Sequence, residues 1–211
     1  KSAMQADVSL VGQTWNTVHT YMRTYGWDYS EHPNNATGDH SGEQHIEVLW
    51  DDELNQYVYN FLSHCNENAL DGERGPSAGS DRMRNEMKSQ TSSSWYQLNG
   101  NYDEWQVLEW KMKIPVGFRP SSSFTHIHQL KGQEGTNIGS PVITISLRGS
   151  NDGTGRRIEV IHTGRAGSTS QGKIVDNTTE YSLDKFEGEW LQVQQETNYK
   201  RHGYYRIRIT R

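Results

Sequence analysis

Apolar and polar residues alternate with a period of two along most of the chain, and short gaps rich in Gly, Ser, Asn and Asp separate the alternating runs. Successive side chains of a strand point to opposite faces, so this period predicts strands with one buried and one wet face. The pattern predicts strands near Thr14–Tyr21, His45–Trp50, Gln56–His64, Arg82–Gln90, Trp105–Ile114, Phe124–Lys131, Val142–Arg148, Arg157–His162, Leu191–Thr197 and Tyr204–Thr210. Asp51-Asp52-Glu53-Leu54-Asn55 reads as a hairpin loop, Asp71–Ser80 and Pro115–Ser123 as longer connections, and Ser182–Phe186 as one helical turn before Trp190. Short strands with turn-rich gaps predict an all-β antiparallel sandwich, and the length suits a single domain over residues 1–211.

The faces of these strands carry the chemistry. In Gln106–Ile114, Leu108, Trp110, Met112 and Ile114 share one face while Glu109, Lys111 and Lys113 share the other. Ile143, Ile145 and Leu147 leave Thr144, Ser146 and Arg148 together on the opposite side, where they line a prospective cleft. Arg82, Arg84, Glu86 and Lys88 fall on one face of their strand, with Met83, Asn85 and Met87 on the other. By the same parity His126 and His128 share a face.

Composition narrows the classes. Hydrophobic residues make up 32% of the chain while Trp (7) and Tyr (11) are plentiful, which suits a sandwich with wet outer faces and an aromatic groove. No run approaches the roughly 18 apolar residues of a membrane-spanning helix. The chain begins Lys1-Ser2-Ala3, as a processed form or an excised piece does. Cys65 stands alone, so no disulfide forms within these residues. Asn35-Ala36-Thr37 and Asn177-Thr178-Thr179 are glycosylation sequons in turn-like stretches, and they point to a secreted glycoprotein. A net charge of −5 argues against a nucleic-acid partner, yet a locally basic groove on an acidic protein still selects a polyanion.

Three cations around one carboxylate at Arg82, Arg84, Glu86 and Lys88 make an anion site, because Arg holds a carboxylate by two charge-assisted hydrogen bonds and Glu fixes the guanidinium. The same residues also read as a solvated ladder of cross-strand ion pairs. An imidazole pair at His126 and His128 supplies a general base near neutral pH, takes a metal from one strand, or sits satisfied beside the core.

Arg84-Asn85-Glu86-Met87-Lys88 resembles the Arg-x-Glu-x-Arg strand of the alginate lyases of polysaccharide lyase family 7, and His126-Ile127-His128 resembles their Gln-Ile-His strand. Pro141–Leu147 follows in the same order as another sheet strand. Heparin lyase I is similar more loosely. The resemblance covers about the central half of the chain and implies a jelly roll with a concave groove that cleaves a uronate-containing acidic polysaccharide by β-elimination, without a cofactor. It implies that Arg84 and His126 hold the uronate carboxylate and that His128 takes the C5 proton. Arg82, Glu86, Lys88, Lys131, Arg148 and Trp50 are then expected to bind substrate, and Trp95 and Tyr102 to add stacking surfaces.

His126 stands where the family has Gln. The family's late Tyr-x-Lys-x-Gly-x-Tyr strand has no clear counterpart before Arg211, so either the last strand of the domain is missing, or Tyr204 or Tyr205 takes the role of its proton-transferring Tyr, or catalysis is lost. The chain is expected to be monomeric. Two other classes stay open: a non-catalytic carbohydrate-binding jelly roll, and a cupin-like metal protein in which His126, His128 and Glu134 imitate a His-x-His…Glu set, with His162 further on.

Overall fold

The computed structural model describes residues 4–31, 44–62, 85–90, 98–123, 125–132, 141–150, 152–163, 171–175 and 181–211. These residues are mostly β-strand in antiparallel sheets, with one α-helix. The chain divides into two compact units, Lys1–Asn101 and Tyr102–Arg211, each with its own apolar cluster.

The first unit holds the helix α1 (Trp15–Arg23), the paired strands β1 (Trp27–Glu31) and β4 (Glu86–Ser89), and the hairpin of β2 (Ile46–Asp51) and β3 (Gln56–Phe61). Sequence periodicity predicts a strand where α1 lies, and the structure corrects this. Trp15, Val18 and Met22 recur at helical spacing, and Val18 and Met22 are fully buried with Leu10, Ile46 and Val48. Trp15, His19 and Tyr21 also alternate, so two periods compete in one stretch, and burial of the Val18–Met22 stripe decides for the helix. The β2–β3 hairpin closes as predicted: Asp51 accepts from the Leu54 amide at 2.8 Å, and Asn55 takes the left-handed conformation at φ 51°. Asn85 donates through Nδ2 to the carbonyls of His45 and Leu62, which anchors the start of β4 to that hairpin.

The second unit has two sheets. One has the order β11 (Tyr204–Thr210), β10 (Trp190–Asn198), β5 (Trp105–Lys113); the other runs β6 (Thr125–Leu130), β7 (Ile143–Arg148), β8 (Arg157–Thr163), β9 (Gln171–Val175). Leu191 and Val193 of β10, with Trp110 and Met112 of β5 and Ile207 and Ile209 of β11, form a single cluster with Ile127, Ile145, Leu147 and Ile158 of the other sheet. Two antiparallel layers therefore share one core. Leu183, fully buried in a short 3-10 turn at Leu183–Lys185, closes the cluster together with Phe118 and Phe186. Arg156 ties the same loops by donating to Glu187 at 2.7 Å, to Asp184, and to the Phe118 carbonyl at 3.1 Å.

β1 and β9 are strands that alternation does not predict. Trp27-Asp28-Tyr29-Ser30-Glu31 carries a period-two pattern hidden directly behind a helix, and Gln171-Gly172-Lys173-Ile174-Val175 is too polar to stand out.

Candidate functional site

The central feature lies in β6. Its register against β7 runs Thr125↔Leu147 and His126↔Ser146, then His128↔Ile145, Gln129↔Thr144 and Leu130↔Ile143. Ile127 is thus an extra residue, a β-bulge, and a bulge reverses the facing of everything beyond it. Directly opposed residues share a face. His126 lies with Thr144, Ser146 and Arg148, whereas His128 lies with the core residues Ile143, Ile145 and Leu147. The shared face that strict alternation predicts for the two histidines is corrected accordingly. Two imidazoles on opposite faces of one sheet also cannot close on the same metal ion.

On the outer face His126 Nδ1 is 2.6 Å from Ser146 Oγ, and Ser146 in turn donates to Thr144 Oγ1 at 3.2 Å. With the Ser146 proton directed to Thr144, His126 Nδ1 carries the ring proton and the lone pair of the neutral imidazole lies on Nε2. His126 itself is exposed, while Ser146 (0%) and Thr144 (5%) are buried beneath it. Opposite Ser146 on β8 stands Glu159, fully buried. Its Oε2 accepts from Arg148 Nε at 2.9 Å and its Oε1 from Arg157 Nε at 2.8 Å. Two guanidiniums thus converge on one carboxylate. Arg148 reaches Glu159 through Nε.

On the inner face His128 Nε2 lies 3.0 Å from Gln195 Oε1, and its ring packs on Trp110 with centroids 4.5 Å apart. Burial pushes its pKa down to about 4, against a partial opposing pull from Gln195, so the ring is neutral at physiological pH. Tyr205 Oη donates to the same Gln195 oxygen at 3.3 Å, and burial raises the Tyr205 pKa well above the phenolic value, keeping its proton on. Gln195 is 1% exposed, and its Nε2 has no hydrogen-bond partner among the described residues. Tyr204 points the other way, 46% exposed, with its ring centroid 5.6 Å from that of Trp105.

The remaining candidates are spread more widely. Arg82, Arg84, Cys65, Trp95, Glu134 and both sequons lie outside the described residues. Glu86 and Lys88 keep the predicted parity, since Met87 between them packs into the first unit's core, and Lys88 stands opposite Asp28. Trp50, also in the first unit, is 48% exposed, donates through Nε1 to Asp52 at 2.9 Å and meets Tyr57 edge-on at 5.0 Å. Lys131 is exposed just after β6, His162 is exposed on β8, and Tyr102 is 80% exposed in the turn before β5. Sequence reasoning missed Arg157, Glu159 and Gln195. The first two were detectable, because Arg157 and Glu159 alternate with Ile158 and Val160; Gln195 was not, because only the packing of two sheets brings it to His128. Comparison with protein-family models, with curated proteins and with solved structures yields no match to this chain.

Proposed function

We propose that the chain is a jelly-roll polysaccharide lyase that cleaves a uronate-containing acidic polysaccharide by β-elimination, with His126 as the proton acceptor. The observation that carries this reading is the bulge at Ile127, which leaves an exposed imidazole on the face that also bears Arg148. Ser146 holds Nδ1, so Nε2 presents the lone pair that takes the C5 proton. The Nη groups of Arg148 meet the uronate carboxylate and stabilise the enolate-like charge that builds there. The C5–H electron pair becomes the C4–C5 double bond, the C4–O bond breaks, and the leaving oxygen takes a proton from the imidazolium when both lie on one side of the sugar ring.

A second assignment of the same reaction rests on a different observation, the convergence of His128 and Tyr205 on Gln195. There His128 is the base, Tyr205 the acid and the Gln195 amide the carboxylate donor. The deciding experiment incubates the chain with alginate, glucuronan and heparin and follows the ultraviolet absorbance of unsaturated product. Product from at least one polymer, lost in His126→Ala and retained in His128→Gln, supports the first assignment; the reverse pattern supports the second. Binding without product from any polymer makes the chain a carbohydrate-binding module instead.

A further inference from the structure

The outer face of the β11–β10–β5 sheet takes no part in either assignment. Outward residues are exposed at every second position of β5 and β11. At one end Trp105 (60% exposed) and Tyr204 (46%) both stand directly opposite Asn198 of the central strand, so one aromatic ring flanks it on each side. The ring planes are tilted by 46°. Val107, 56% exposed, extends the apolar end. Two large aromatic rings left in water have lost the burial that normally stabilises such side chains, which marks a surface kept for a ligand.

Charge says which ligand. The rest of this face carries Lys111, Lys113, Arg206 and Arg208 against Glu109 and Glu196. The two carboxylates are engaged within the face, Glu109 by Gln194 Nε2 at 2.6 Å and Glu196 by Arg206 at 3.8 Å. A surface with surplus cations on a chain of net charge −5 is complementary to a polyanion. A protein partner is disfavoured, since interface centres are depleted of Lys and Glu. The nine-residue strand from Trp105 to Lys113 spans about 26 Å at strand rise, long enough for several sugar units in a row. Rings tilted rather than coplanar suit one twisting chain better than a flat crystalline surface.

We propose that this face is a second, non-catalytic binding surface for an acidic polysaccharide chain, in which sugar rings stack on Trp105 and Tyr204 while Lys111 and Arg208 contact carboxylate or sulfate groups. The proposal rests on the charge and exposure of this face and is independent of the elimination chemistry. Affinity electrophoresis of the full chain in gels containing alginate, heparin or neutral dextran tests it. The expected result is retardation by an acidic polymer but not by dextran, weakened about tenfold in apparent Kd by Trp105→Ala, as loss of an exposed aromatic anchor does, and weakened also by Arg208→Gln. His126→Ala serves as the control that keeps this binding whether or not the chain is a lyase. Unchanged retardation in both Trp105→Ala and Arg208→Gln overturns the proposal, as does equal retardation by dextran. It is also overturned if sedimentation shows a dimer of the parent chain that Trp105→Ala dissociates, because the face then meets a second copy.

Discussion

The two histidines of β6 are chemically distinct because one residue of backbone separates their faces, and this makes opposite predictions for them. His126 is exposed and rests on Ser146. His126→Ala should leave the unfolding free energy within about 0.5 kcal/mol of the parent, as surface changes do, while lowering turnover on the susceptible polymer by a hundredfold or more, as loss of a general base does. Steady-state rates beside a thermal melt measure both. His128 is inside, and its folded pKa of about 4 lies below the ordinary value of 6.5. The unfolded chain therefore binds the extra proton more readily between these values. Stability associated with neutral His128 is fully present above pH 6.5 and is lost as pH falls towards 4, by on the order of 3 kcal/mol. Melting temperatures from pH 7 to pH 4 should fall more steeply in the parent than in His128→Gln, and equal slopes would remove His128 from the acid response.

At the scale of elements, β7 and β8 are joined by a buried polar row as well as by their ladder. Glu159 sits between Arg148 and Arg157 with no exposure to solvent. Glu159→Gln removes the carboxylate on which both guanidiniums converge, and such removal of one partner from a buried ion cluster costs about 3 to 5 kcal/mol. Chemical denaturation of the variant checks this, and a loss below about 1 kcal/mol would mean that solvent reaches the site. The β10–β11 hairpin depends on Gly203. A Cβ there would fall on the carbonyl oxygen of Asn198 and 2.9 Å from that of Lys200, both backbone atoms with little room to yield. Gly203→Ala should cost more than about 1 kcal/mol and shift the unfolding midpoint accordingly. Helix α1 shows how local pattern fails: its alternation was real, but its buried stripe at Val18 and Met22 follows the helical period.

Across the second unit as a whole, one core shared by two sheets sets the stability. Leu191 is fully buried at the start of β10, and its cluster includes Ile145, Leu147 and Ile158 from the other sheet. Leu191→Ala should cost 2.7 to 5.0 kcal/mol, roughly the range for buried leucines whose cavity cannot collapse, and a urea titration measures it. The sequence by itself determined which residues alternate, and hence the antiparallel strands from Trp105 onward other than β9, the apolar face of Trp110 and Met112, and the polar row of Thr144, Ser146 and Arg148. These follow from the fixed two-residue period of an extended backbone and the cost of leaving apolar side chains in water. Only the tertiary structure decided where that period is interrupted. The bulge at Ile127 is set by the register of β6 against β7, a long-range pairing with no local signature in Thr125–Leu130, and one extra residue there was enough to turn His126 outward and His128 onto Trp110, Gln195 and Tyr205.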